Sequence, residues 1–190
     1  AGWKARLFLS AVPTALFFGV FRLCEPHFLT KPKSFFRGWS MLRGISPLLS
    51  PKLLETLYRM GHHDEIIFGD AHFPGESCND TIIRADGLRI DDLLDAVLPL
   101  FVLDHVIEQP VMMMGPLPED KANPEIAADY QKVHDGYAEI VKKHYPDTAP
   151  IAQVDKYDFY DRTRKAFAVV MTGDVRIYAN LILAKGVTTW

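Results

Sequence analysis

The densest set of side chains able to do chemistry is His62, His63, Asp64, Glu65, Asp70 and His72, six groups within eleven residues. An imidazole titrates near neutrality and a carboxylate can orient it or bind hydroxyl groups, so His62 and Asp70 supply what general acid–base catalysis asks for. His62, Asp70 and His72 are also metal-ligand types. Their spacing matches no regular helical metal motif, however, and the adjacent His62 and His63 are expected to point in different directions. The expectation is therefore a site without a metal. A non-catalytic reading stays open on these residues alone, with His62 capping the preceding helix, Asp70 opening a turn, and His63 and His72 as solvated loop residues.

Other chemistries lack their residues. There is no Gly-x-Ser-x-Gly elbow and no cysteine at a helix start to serve as a nucleophile. Neither a Gly-x-Gly-x-x-Gly nor a Walker-type loop occurs, so no nucleotide cofactor is expected. Tyr157, Phe159, Tyr160, Phe167 and Tyr178 read first as core. Tyr178 and Asn180 would present a phenol and an amide on one face if their segment is extended, which suits recognition of several hydroxyls. Met112 to Met114 read as a buried strand.

The elements that must position these groups are punctuated clearly. Ser50-Pro51 is an N-cap and N1 proline, and Leu53, Leu54, Leu57 and Met60 recur at helical spacing before Gly61, which predicts a helix over 51–60. Ile66 to Gly69 is a buried strand placing Asp70 at its carboxyl end, where ligand sites collect in open α/β sheets. Further strands are expected at 81–84, 111–114 and 151–156, and helices over 91–98, capped by Asp91, and from Asn123-Pro124 to about His144. A helical turn is expected over 159–164. The segments 166–171 and 177–184 read as a hairpin joined by Thr172-Gly173-Asp174. The fold class is α/β, a single domain with a central mixed sheet flanked by helices.

Charge divides the chain. Residues 1–40 hold six cations against Glu25 and carry +5, leaving −8 on the other 150 residues of a chain whose net charge is −3. A body with that balance lacks the basic stripe a nucleic-acid binder needs. Cys24 and Cys78 are the only cysteines, too few for a disulfide framework or a paired-cysteine metal site, and they fit a reducing, cytoplasmic compartment. Leu7 to Phe21 is apolar but interrupted by Pro13, and its 15 residues fall short of the roughly 20 that span a membrane. No membrane association is expected. Residues 1–40 read as a basic, apolar extension, either a targeting segment or translated upstream sequence, outside the domain formed by 41–190.

The segments Met41 to Pro51, Met60-Gly61-His62-His63-Asp64-Glu65-Ile66, Asp70 to Pro74, Ile83 to Leu88, Lys165 to Ala168 and Tyr178 to Lys185-Gly186-Val187 closely resemble the RbsD/FucU-type sugar mutarotases, the fucose branch most of all. The resemblance spans the whole body and nothing in 1–40. It implies an isomerase exchanging the α and β anomers of L-fucose. A ribose pyranase and a non-catalytic sugar-binding or transport-accessory protein are the alternatives on the same scaffold. It implies His62 as proton donor, with Tyr160 and Asp104 as further catalytic side chains. Asp70, Met114, Tyr178 and Asn180 are then sugar contacts, with Met114 facing the deoxy methyl group. Lys156 stands where related sequences carry arginine, reducing a bidentate contact to a single one. The usual Met-Gly-His-Gly-Asp corner has His63 in place of its second glycine, a loss of backbone freedom. The resemblance also implies a ring-type homo-oligomer, a decamer of two pentamers, with sites at subunit contacts. A chain beginning at Met41 is accordingly expected to fold, assemble and turn over unaided, measured by thermal unfolding and anomer exchange; an unfolded or inactive product would move the boundary into the leader.

Overall fold

The computed structural model describes residues 42–188, so the expected 1–40 extension lies outside the described residues. Helix α1 (Pro51–Arg59) starts where Ser50 accepts a hydrogen bond from the Leu53 amide at 3.2 Å and buries Leu53, Thr56 and Leu57. It ends as the chain turns extended at Met60 and Gly61. The long α5 (Pro124–His144) begins under Asn123, which accepts from the Glu125 amide, and buries Tyr130, Val133, Tyr137 and Val141 at helical spacing. Lys142, Lys143 and His144 close it where cations favour the helix dipole. Helix α6 (Lys156–Lys165), capped by Asp155, is a full ten-residue helix where a single turn was expected.

The sheet comprises β1 (Glu65–Gly69), β2 (Ile82–Ala85), β3 (Val111–Met114), β4 (Ala152–Val154), β5 (Ala168–Thr172) and β6 (Leu181–Ala184), in the order β2-β5-β1-β6-β3-β4. Among the described residues β6 alone runs antiparallel to its neighbours. The mixed α/β sheet is as expected; the hairpin is not. β1 stands between β5 and β6, so the segments that are nearest in sequence do not pair. The physical reason is burial. Ile66, Ile67 and Phe68 are wholly inaccessible and need strands on both sides, each such side chain contributing about 1.5–3 kcal/mol when fully buried. The eight residues 173–180 are long enough to carry the chain past β1 to its other edge.

Short helices α2 (Gly75–Cys78) and α4 (Pro118–Lys121) were not expected, and α3 (Ile90–Val97) lacks the Asp91 cap. Its first free amide, Ile90, donates instead to Asp174 Oδ2 at 3.2 Å, a cap supplied from the loop after β5. Asp91 is engaged elsewhere, accepting from Arg176 Nη2 at 2.6 Å. Asp174 is almost wholly buried, and it also accepts from the Arg176 amide and guanidinium. Burial opposes its ionisation, but these Arg176 bonds and the Ile90 amide outweigh it and hold the carboxyl below its ordinary value. A depressed carboxyl stabilises the fold above its unfolded value and loses that contribution as pH falls through the folded one. Asp174→Asn is therefore expected to cost about 2 kcal/mol at neutral pH. The difference from the parent should shrink below about pH 4, as read from denaturant midpoints across pH.

Candidate active site

The parallel strands gather polar groups at their carboxyl ends. Asp70 follows β1, Met114 ends β3 and Lys156 follows β4, while antiparallel β6 brings its start, Asn180, to the same edge. Asp70 and Asn180 are locked reciprocally: the Asp70 amide donates to Asn180 Oδ1 at 2.8 Å, and Asn180 Nδ2 donates to Asp70 Oδ2 at 2.8 Å. The other Asp70 oxygen accepts from the His72 amide at 2.9 Å. The turn reading of Asp70 is thus realised together with the cross-strand bond. Met114 Sδ lies 3.8 Å from Asn180 Nδ2. Burial raises the Asp70 carboxyl pKa, with the His72 and Asn180 bonds opposing that rise only in part.

Tyr178 departs from the extended segment expected of it. Its φ is 60°, a left-handed conformation that costs a non-glycine residue about 1–3 kcal/mol. Tyr137 Oη holds the turn by donating to the Ala179 carbonyl at 2.9 Å, and Tyr178 Oη donates to Asp120 at α4 while accepting from the Leu117 amide. Tyr178 and Asn180 therefore do not share a strand face. Burial, then Asp120, raise the Tyr178 phenol pKa. Tyr160 packs 5.7 Å from the ring of Phe73, just beyond Asp70, and Lys156 Nζ lies 5.9 Å from the Tyr160 ring centre.

His62 lies at the other end of β1. Five strand residues separate the two edges, roughly 13 Å between terminal Cα atoms at about 3.3 Å per residue. His62 therefore cannot share one ion with Asp70 and His72 within one chain, although all three are metal-ligand types. What His62 meets is Asp104, whose Oδ2 lies 3.3 Å from His62 Nε2 and 2.6 Å from His63 Nδ1. The two imidazoles stack, with centroids 3.6 Å apart and an interplanar angle of 24°. This corrects the expectation that they diverge. His63 has φ 68°, and that left-handed turn lets its ring fold back over His62 instead of alternating away. The corner is tied down by the His63 amide to the Lys185 carbonyl at 2.8 Å and the Gly61 amide to Asp64 Oδ2 at 2.6 Å.

Asp104 has no exposed side-chain surface. Burial pushes its carboxyl up, but hydrogen bonds from the Val106 amide, His63 and His62 together bring it below the ordinary range. Gly186 packs against its backbone, where an added Cβ would lie 2.5 Å from the Leu103 carbonyl and 2.8 Å from Asp104 Cα. Sequence reasoning gave His63 no site role and left Asp120 out altogether. Substitution of the corner glycine was the available signal for His63, whereas nothing in the sequence linked Asp120 to Tyr178.

Residues 43–188 match the RbsD / FucU transport protein family. The chain belongs to that family. Among solved structures of RbsD/FucU proteins, the fucose mutarotase of Streptococcus pneumoniae in complex with L-fucose is 38% identical with a TM-score of 0.70, over 78% of this chain and 100% of its own. FucU from Bifidobacterium longum is 34% identical, with a TM-score of 0.69 over 77% and 100%. Bacillus subtilis RbsD complexed with D-ribose, at 23% identity and a TM-score of 0.54 over 74% and 95%, shares the fold. Within the RbsD/FucU fold of this chain, Asp70 is a carboxylate whose charged form is disfavoured by burial. Such a group withdraws stability as pH rises through its raised folded value. That cost is borne for the lock: Asp70→Asn would turn an amide donor toward the His72 amide or Asn180 Nδ2, both of which already donate to Asp70, so the variant is expected to unfold at a lower temperature by calorimetry; an unchanged unfolding temperature would contradict the lock.

Proposed function

We propose that this chain is an L-fucose mutarotase, an isomerase that speeds exchange of the α and β anomers of the free sugar. The observation that carries the reading is the Asp70–Asn180–Met114 constellation at the carboxyl ends of the strands, in a chain 38% identical to a fucose mutarotase solved with L-fucose. Asp70 retains lone pairs for sugar hydroxyls after accepting from His72 and Asn180. The Met114 thioether offers an apolar surface suited to the deoxy methyl group, and Tyr178 and Lys156 are further sugar contacts in this reading.

The chemistry follows from proton transfer alone. His62 protonates the ring oxygen, a base removes the proton of the anomeric hydroxyl, and the ring opens to the aldehyde. C1 then rotates and the ring closes with protons returned. Asp104 holds the His62 imidazole through the 3.3 Å contact to Nε2, and Tyr160 completes the relay at the sugar. No redox cofactor enters such a sequence, since no electrons are transferred.

His62 and Asp70 sit at opposite edges of the sheet in one chain, so a single sugar meets both only if a second protomer supplies one of them. The reading therefore includes a ring-type homo-oligomer, a decamer of two pentamers, with the site at the subunit contact. Among the described residues no helix is long and apolar enough to cross a membrane; the reading places the enzyme in the cytoplasm.

Saturation-transfer NMR on equilibrated sugars tests the reading. Faster α/β exchange of fucose supports it. Exchange of ribose between pyranose and furanose forms with no effect on fucose would make the chain a pyranase, and binding without exchange of either sugar would make it an accessory protein. His62→Ala is expected to slow fucose exchange about 10²–10⁴-fold with assembly intact by light scattering; a fully active variant would remove His62 from the mechanism.

A further inference from the structure

We propose that His62, His63 and Asp104 form a binding site for a divalent ion of the zinc class, and that occupancy silences His62. The binding part stands on geometry alone; the silencing rests on the role of His62 proposed above.

One ligand atom from each residue lies within 4.8 Å of the others. Zinc holds nitrogen and oxygen ligands at about 2.0–2.2 Å, so atoms sharing a tetrahedral ion lie about 3.3 Å apart. His62 Nε2 and Asp104 Oδ2 already stand at 3.3 Å, while the 2.6 Å contact from His63 Nδ1 must open and the stacked rings must turn apart for both nitrogens to face the ion. The stacked rings point their nitrogens at the same oxygen. Three protein ligands leave a fourth position, and the histidine side chains, 34% and 55% exposed, open it to solvent. Asp104 is fixed from behind: its second oxygen accepts from the Val106 amide at 2.8 Å, the outer-shell bond that ligating carboxylates need. Two imidazoles with one carboxylate favour zinc over magnesium or calcium, which prefer all-oxygen shells.

His63 is the deciding residue. It is held left-handed at φ 68°, and such strain persists only where surrounding contacts impose it. That conformation brings the second nitrogen to Asp104. An ion there would take the His62 Nε2 lone pair, leaving that nitrogen unable to carry a proton to a sugar.

The test is titration of the full chain, freed of metal with chelator, with zinc chloride by calorimetry and with cobalt chloride by visible absorption. One saturable equivalent with a four-coordinate cobalt spectrum is expected, uncompeted by excess magnesium. His63→Gly suits the left-handed turn, and His63→Asn keeps a hydrogen-bonding side chain there. Each should weaken binding beyond the roughly 10–100-fold that loss of an outer-shell partner costs. Absence of saturable binding, or unchanged affinity in both variants, overturns the site. Zinc should also slow fucose exchange by the parent; binding at His63 with exchange unaffected would overturn the silencing. A metal-free protein that binds zinc through His63 yet exchanges no sugar would uphold the ion site and sink the mutarotase reading instead.

Discussion

The antiparallel pairing of β6 with β1 is the constraint on which both polar clusters depend. Its register sets Phe68 opposite Leu181 and Glu65 opposite Ala184, so the functional groups lie within three residues of each paired end. At one edge Asp70 meets Asn180; at the other the His62–His63 corner meets the Lys185 backbone and Asp104, whose amide donates to the Ala184 carbonyl at 3.0 Å. A slip of one residue would turn every β6 side chain to the opposite face. Both clusters would be lost together, along with the burial of Ile66, Ile67 and Phe68. The hydrophobic core therefore enforces the chemistry: the same packing that seats three apolar side chains fixes where two aspartates stand.

Among the described residues two non-glycine positions are left-handed, and they occupy matching places. His63 precedes β1 and Tyr178 precedes β6, both left-handed without being glycine. Each directs its side chain to an aspartate from another element, His63 to Asp104 and Tyr178 to Asp120. A left-handed residue at a strand entrance turns its side chain out of the strand's alternation and over the sheet edge. The conformational cost, about 1–3 kcal/mol each, is offset by the hydrogen bonds these side chains make.

Much of this was legible in the sequence, for identifiable reasons. Caps and N1 prolines at Ser50-Pro51 and Asn123-Pro124 placed α1 and α5, and the apolar run 66–69 placed β1 with Asp70 at its carboxyl end. These are local signals, and the sheet class follows from their alternation. The failures are long-range. Segments 166–171 and 177–184 read as a hairpin because turn chemistry is local, whereas insertion of β1 between them is decided by burial on both faces of a strand a hundred residues earlier. The Asp174 cap on α3 spans 84 residues and leaves no local trace. His63 is the exposed loop residue it was read as, but its bond to Asp104 was missed because its direction depends on one φ angle that composition does not encode.

The two aspartates divide the electrostatic labour. Asp104 lies without solvent contact yet ionises readily, because two imidazoles and an amide offset its burial. Asp70 is buried with only neutral donors in direct hydrogen-bond contact, and its charge is disfavoured. Environments that push paired carboxyls in opposite directions mark distinct roles. Asp104, held below its ordinary value, offers its Oδ2 to both imidazole nitrogens. A reluctant Asp70 gains most from new donors, which is what the hydroxyls of a sugar would bring to it.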